Sequence, residues 1–284
     1  MLLADCQLGA YATFSGMTQA DIATFAARDM RVERVPKVEG FAWDAERYGW
    51  AIDVANQLRP QFVVVAGDMV DNLADDSQLE ELFRITARLD DDIAIHWVPG
   101  NHDAAFDTVA PTAESLLRYR ELFGADRYAF SAGRSKLIVL NTVVFDHPEA
   151  VPDELADQMA FLEHELATAG ETHDRTILLG HHPLFIGDPD EPDSYWNIPR
   201  AQRKPVLDLI HRYDVGIAFA AHWHRNAIAH DGTFEMVTTG PVGVPLGEDP
   251  SGYRTVDIGE DVTHRYHPLI RPEPESMQDQ PPSE

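Results

Sequence analysis

The sequence predicts an α/β fold built on mixed sheets. Three observations point there. Short apolar, β-branched runs alternate with segments whose apolar residues recur at helical spacing. After residue 220 that alternation gives way to strands joined by short turns. The polar residues capable of chemistry fall just beyond the ends of the apolar runs.

Taken in order, residues 2–4 read as a short strand ending at Asp5, with only Met1 to Ala4 ahead of that aspartate. Residues 9–42 show no period and read as a long insertion, the kind of segment that often forms a binding loop or lid. Over 43–58, Tyr48, Ile52, Ala55 and Leu58 follow helical spacing. The run FVVVA at 62–66 is a buried strand. A helix fits 77–89, with Leu79, Leu82, Phe83 and Leu89 on one side. Residues 93–98 read as another buried strand, followed by a helix over 113–123. A strand at 137–141 precedes a helix that Pro152 opens and that runs through Leu155, Met159, Leu162 and Leu166, with Gly170 as its C-cap. Residues 176–179 form a strand, 205–213 a helix and 215–220 a strand. Asp231-Gly232 is a hairpin signal beyond them. Residues 271–284, RPEPESMQDQPPSE, are proline-rich and acidic and are expected to be disordered. With no internal repeat and no inter-domain linker, the reading is one domain over 1–270, carrying the insertion at 9–42 and followed by the tail.

Composition narrows the function. Apolar residues make up 44% of the 284, enough for a sizeable core, yet no run approaches the roughly 18 consecutive apolar residues of a membrane helix. No charged segment followed by an apolar one opens the chain, so export is not expected. Cys6 is the sole cysteine, so no intramolecular disulfide can form; that fits a reducing compartment, taken to be the cytoplasm. The formal net charge of −26, with no basic patch, argues against nucleic acid as a partner.

Five strand ends carry the chemistry. Asp5 and Gln7 follow the first strand; Gly67-Asp68-Met69-Val70-Asp71 follows the strand at 62–66; Gly100-Asn101-His102-Asp103 follows 93–98; Gly180-His181-His182-Pro183 follows 176–179; and Ala221-His222-Trp223-His224 follows 215–220. In open α/β sheets, sites form outside the carboxyl ends of strands, so these loops can converge. Asp, Gln, Asn and His side chains are oxygen and nitrogen donors able to hold two divalent cations, and one carboxylate can bridge the pair. In extended segments Asp5 and Gln7 would point the same way, as would His222 and His224, while Cys6 would point away as an inert core thiol.

Each motif alone is weak; their order and their placement on strands are specific. The set resembles the calcineurin-like metallophosphoesterases, whose pattern is D-x-H, GD-x-x-D, GNHD or GNHE, H-x-P and GHxH. The resemblance covers nearly the whole chain. Within the family it is closest to the branch typified by calcineurin-like phosphoesterase domain-containing protein 1, a protein serine/threonine phosphatase. That branch shares the A-D-x-Q opening, His224-Arg225-Asn226, and the stretch with Leu246-Gly247, Asp249-Pro250 and Gly252.

The resemblance implies an α/β four-layer αββα sandwich of two mixed sheets. It implies a first metal on Asp5, Gln7, Asp68 and His224, and a second on Asp68, Asn101, His181 and His222. The ions would be drawn from manganese, iron, zinc and magnesium. His102 would sit over the substrate phosphate, oriented by Asp71, with Asn101 also at the substrate. His182 would take a packing role beside the ligands. The chain departs from the family at Ala221, where glycine is usual and a strained or reshaped loop is expected, and at Gln7, where histidine is usual. Gln7 is neutral like histidine, but its amide oxygen is a harder donor. Arg225 reads equally as a bidentate grip on a phosphoryl oxygen or as a surface arginine. Tyr195 and Trp196 in 187–199 read equally as a cleft wall or as an anchor for their loop.

The expected activity is metal-assisted hydrolysis of a phosphate monoester on a small molecule or phosphoprotein. A phosphodiesterase acting on cyclic nucleotides or other diesters uses the same ligands and is the alternative within the enzymes. A non-catalytic binding scaffold is the alternative outside them.

Overall fold

The computed structural model describes residues 1–105 and 109–271. In chain order the first half holds β1 (Leu2–Leu3), α1 (Ala10–Thr13), α2 (Gln19–Ala26), α3 (Ala42–Leu58), β2 (Phe62–Val65), α4 (Asp76–Thr86), β3 (Ala94–Trp97), α5 (Asn101–Ala104) and α6 (Ala113–Phe123). The second half holds β4 (Tyr128–Ala132), β5 (Ser135–Val139), α7 (Val143–Asp146), α8 (Pro152–Thr172), β6 (Arg175–Leu179), α9 (Arg200–Arg212), β7 (Ile217–Ala220), β8 (Ala227–Asp231), β9 (Phe234–Thr238), β10 (Gly252–Ile258) and β11 (Val262–Pro268). No helix among the described residues is long and apolar enough to cross a membrane.

The strands form two mixed sheets, in the orders β11-β10-β1-β2-β3 and β4-β5-β6-β7-β9-β8. β1, β2 and β3 are parallel, with β10 and β11 added antiparallel. In the other sheet β5, β6, β7 and β9 are parallel, and β4 and β8 close the edges antiparallel. Strand alternation sorts the side chains into layers. Leu2, Val64, Ala66, Leu137, Val139, Ile177, Leu179, Ile217 and Phe219 fill the space between the sheets. Leu3, Val63 and Val65 face the opposite way, onto Tyr48 and Ile52 of α3 and Leu79 and Leu82 of α4. Ile138, Leu178 and Ala218 likewise face Leu162 and Leu166 of α8 and Val206 and Ile210 of α9. Each buried aliphatic side chain contributes about 1.5–3 kcal/mol relative to exposure, so these three layers hold the sandwich together. The four-layer αββα expectation is met.

Three local expectations are corrected, and one strand is added. The strand at 93–98 is an edge, not a buried strand: β3 pairs on one side only, and Ala94 is exposed. β4 was not anticipated, although Gly133-Arg134 makes the two-residue turn that returns it as β5. α9 begins at Arg200, ahead of Pro205; the missing proline N–H leaves only the Ala201 carbonyl without its helical donor, a cost borne near the helix start. Gly170 does not cap α8, which continues to Thr172 and ends at His173. The insertion at 9–42 contains α1 and α2, and Thr18 with Asp21 forms a capping box at the start of α2. The acidic stretch from 272 onward lies outside the described residues.

Gly170 therefore sits in helical backbone with open space around its Cα. Gly170→Ala is expected to raise stability by about 0.5–1 kcal/mol, measured by denaturant unfolding. A drop in stability would return Gly170 to a left-handed cap.

Candidate metal centre

The parallel strands of both sheets end at one place, and backbone hydrogen bonds join the loops that leave them. Asp5 N–H donates to the Gly67 carbonyl at 3.1 Å and Gln7 N–H to that of Asp68 at 2.8 Å. Asp103 ties the second loop to the third: its buried carboxylate accepts from the backbone N–H groups of Asp68 at 2.6 Å, Met69 at 2.9 Å and Gly100 at 3.0 Å. The loops of the two sheets meet where His222 N–H donates to Asp5 Oδ1 at 3.3 Å. Gly67 and Gly100 are needed for this closeness. A Cβ on Gly67 would strike the His181 ring, and one on Gly100 would strike Asp68.

The backbone here is strained, not extended. Asp5, Gln7, Asp68, His222 and His224 have φ of 48°, 40°, 51°, 66° and 54°. They are five of the eight non-glycine residues with positive φ among the described residues. Each such residue costs on the order of 1 kcal/mol, and strain of this kind gathers at functional sites. The expectation that Asp5/Gln7 and His222/His224 converge by strand alternation is thus corrected: they converge through left-handed turns. Ala221 keeps an ordinary φ, and the strain falls on His222.

The loops carry the seven proposed ligands to one junction, and three of them close into a cluster. Ligand atoms of Asp68, His181 and His222 lie within 4.8 Å of one another and could hold a metal ion. The His181 Nε2 stands 3.2 Å from Asp68 Oδ2 and 3.1 Å from Asn101 Oδ1. His224 Nε2 stands 3.4 Å from Asp5 Oδ1. Each imidazole has its other nitrogen bound to a backbone carbonyl, which must accept. His181 Nδ1–H donates to Ala66 at 2.8 Å, His224 Nδ1–H to Val244 at 2.6 Å and His222 Nε2–H to Tyr195 at 2.8 Å. These bonds fix the tautomers and turn one ring nitrogen of each histidine into the centre, the arrangement that ligating histidines use.

Electrostatics test whether cations fit. Asp5 Oδ2 and Gln7 Oε1 are buried with no hydrogen-bond partner. An unmatched buried carboxylate oxygen is costly, so the donor set calls for positive charge. Burial raises the Asp5 carboxyl above its ordinary range, against the pull of His224 and His181. Burial acts the same way on Asp68, but His181, His102 and His222 outweigh it and hold that carboxyl well below the usual range. Burial, reinforced by His181, takes His222 down to about 3, leaving the neutral ring that a metal requires. For His181, burial lowers the pKa, but Asp68 and Asp5 outweigh it and hold it at about 9. Two acceptors facing one ring nitrogen need a proton or a metal ion between them.

Around this centre lies a cavity of about 250 Å³. Its floor is Gln7, Asp68, Asp71, His102, His222 and His224; its walls are Tyr195, Trp196 and Leu246, together with Thr13, Phe14, Phe25, Arg28 and Met30 from the insertion. A larger cavity of about 470 Å³ lies between the sheets, lined by Met1, Phe62, Val64, Leu179 and Phe219, and contains none of the candidate ligands. His102 Nδ1–H donates to the Asp71 carbonyl at 2.7 Å, with the Asp71 carboxylate 3.8 Å away. The Gln7 amide N–H donates to His102 Nε2 at 3.1 Å and to Asp71 Oδ1 at 3.2 Å. Gln7 therefore aims its nitrogen at His102 and Asp71 and leaves its oxygen free. His182 packs 4.3 Å from the His222 ring, with its backbone N–H and ring held by the Thr142 hydroxyl. Cys6 is fully buried in the core, and burial pushes its thiol up. Tyr195 and Trp196 serve as both wall and anchor: both line the cavity, and Trp196 packs on the cluster of Ala10, Met30 and Leu246.

Arg225 is placed elsewhere. Its guanidinium donates to the Leu246 carbonyl at 2.8 Å and to Asp29 at 3.0 Å, and it lies outside the cavity lining. These contacts hold it to the Leu246 carbonyl and Asp29 outside the cavity lining, so the structure favours the reading of Arg225 as a brace. Sequence reasoning missed Asp103, although it stands within the quoted GNHD, and the five cavity residues of the insertion, which carry no periodic signal.

A family model described as calcineurin-like phosphoesterase matches residues 42–226. The serine/threonine-protein phosphatase CPPED1 of Danio rerio is 33% identical over 241 residues, covering 81% of this chain and 77% of that protein. The CPPED1 of Homo sapiens is 32% identical over 228 residues, covering 77% and 72%. Among solved structures, a dimetal phosphatase from Danio rerio superposes with a TM-score of 0.65 at 16% identity, covering 95% of this chain and 96% of that one. The purple acid phosphatase PPD1 from yellow lupin (Lupinus luteus) seeds gives 0.61 at 14% identity, covering 93% and 50%. The two structures share the fold; the family match and the CPPED1 relatives carry the assignment. The chain belongs to the calcineurin-like phosphoesterase family and is a metal-dependent phosphoric ester hydrolase.

Proposed function

We propose that the protein hydrolyses phosphate monoesters with two divalent cations, and that phosphoserine or phosphothreonine of proteins falls within its substrate class. Asp5, Gln7, Asp68 and His224 would hold one cation, and Asp68, Asn101, His181 and His222 the other. The observation that carries this reading is the pair of buried, unpartnered oxygens, Asp5 Oδ2 and Gln7 Oε1, beside the cluster of Asp68, His181 and His222. When bound, the cations would neutralise phosphoryl charge and acidify the attacking water. The donor set suits manganese, iron, zinc or magnesium. The serine/threonine phosphatase named among the relatives supports the monoester reading. The catalytic unit is taken as residues 1–270. The net charge of −26 opposes nucleic-acid substrates, and a lone buried thiol suits a reducing compartment such as the cytoplasm.

His102 supplies the proton chemistry. Its Nδ1–H bond to the Asp71 carbonyl holds the ring with Nε2 in the cavity. A proton taken up at that nitrogen, in place of the Gln7 N–H it accepts here, would pass to the leaving oxygen. His102 N–H also donates to Asp68 Oδ1 at 2.9 Å, which ties the residue to the shared carboxylate.

His102→Ala is expected to lower kcat on a phosphomonoester by roughly 10²- to 10⁴-fold with metal content retained. Loss of one metal in that variant would make His102 a ligand instead. Parallel assays on a cyclic diester should show the monoester preferred; the reverse preference would make the protein a phosphodiesterase. Metal titrations of wild type, Gln7→Ala and Gln7→His address the unusual ligand. Gln7→Ala should weaken one cation selectively, and Gln7→His should favour zinc or iron over magnesium. Equal affinities in all three would remove Gln7 from the ligand set.

A further inference from the structure

Resting on the monoesterase reading, we propose that Arg28, in the insertion, is the residue that grips the anionic phosphoryl group of the substrate, and that Arg225 acts as a positioning residue that aims it. Among the described residues lining the catalytic cavity, Arg28 is the sole lysine or arginine. The floor it faces contains Asp68 and Asp71, in a chain of net charge −26. An incoming phosphate dianion meets unfavourable charge there except from the metals and this guanidinium. No hydrogen bond or ion pair holds the Arg28 side chain among the described residues. Its guanidinium carbon stands 5.9 Å from the centroid of the Tyr195 ring, which also lines the cavity. A planar guanidinium left without a carboxylate partner is suited to bidentate contact with phosphoryl oxygens.

The backbone presents Arg28 in a fixed direction. α2 ends in a Schellman-type turn: Met30 N–H reaches back to the Phe25 carbonyl at 3.0 Å, and Asp29 takes the left-handed position with φ 58°. That turn sends residues 28 and 29 to different sides. The Asp29 carboxylate meets Arg225, whose guanidinium is also held by the Leu246 carbonyl. Arg31 N–H donates to that same Leu246 carbonyl at 2.9 Å, so the segment is fastened on both sides of Met30. Arg225 thus reaches the substrate only through Asp29 and the turn that carries Arg28.

The test uses the full chain saturated with metal. Two readouts are taken: the Kd for inorganic phosphate by calorimetry, and kcat and KM on para-nitrophenyl phosphate. Arg28→Ala should raise the phosphate Kd and the KM about tenfold or more, the size expected for losing a hydrogen bond to a charged group, with kcat changed less. Arg28→Lys should recover part of the loss. Arg225→Ala and Asp29→Ala, checked for folding by thermal melting, should raise KM by smaller factors. The Arg28→Ala/Arg225→Ala double variant should be no worse than Arg28→Ala. An unchanged phosphate Kd in Arg28→Ala, with wild type active, would overturn this inference alone. A further rise on adding Arg225→Ala would overturn the positioning role. A wild type that neither binds phosphate nor cleaves the ester would sink the monoesterase reading and this inference with it.

Discussion

Asp5 and Asp68 place two carboxylates in the dry junction between the sheets, where an ionised oxygen without a counter-charge is strongly unfavourable. The surrounding structure answers that constraint. Asp68 is met by the His102 backbone N–H and by His181, while Asp5 keeps one oxygen with no donor at all. The core layers on either side hold the sheets at a separation set by apolar packing, so the two carboxylates stay buried. A cation is the simplest group that completes the arrangement, and the fixed histidine tautomers leave ring nitrogens ready to share it.

The geometry is expensive for the backbone and is therefore braced. Five left-handed non-glycine residues concentrate strain on the order of 1 kcal/mol each in a few loops. Asp103 opposes the tendency of these loops to relax by accepting three backbone N–H groups at once. Burial, with Asp68 next to it, pushes the Asp103 carboxyl up to about 7 against the pull of those donors. The loop at 187–199 is braced in a similar way. The buried Arg203 donates to the carbonyls of Ile198, Pro189 and Glu191, and the same loop delivers the Tyr195 carbonyl to His222.

The fold was largely legible because buried parallel strands read as continuous apolar runs, and β2, β6 and β7 are of that kind. β3 reads the same way but lies at an edge, a difference that depends on pairing partners and not on composition. β4 has mixed polarity and half-buried positions, so only its turn could have announced it. The centre was legible through the order of its strand-end motifs, which local chemistry writes into the chain. Its left-handed turns were not, since aspartate, glutamine and histidine give no glycine signal for positive φ. The cavity wall was hidden for a different reason: Phe14, Phe25 and Met30 gain their role only when the insertion folds over Leu246 and Trp196. Arg225 stayed open in the sequence because adjacency to His224 does not fix which way its side chain turns.

The central claim is that the junction holds two cations sharing Asp68. Anomalous diffraction from crystals loaded with manganese or zinc measures it directly. Two peaks are expected, one in contact with Asp5, Gln7 and His224, the other with Asn101, His181 and His222, and both with Asp68. A single peak on Asp68, His181 and His222, with Asp5 and Gln7 making no contact to metal, would contradict it.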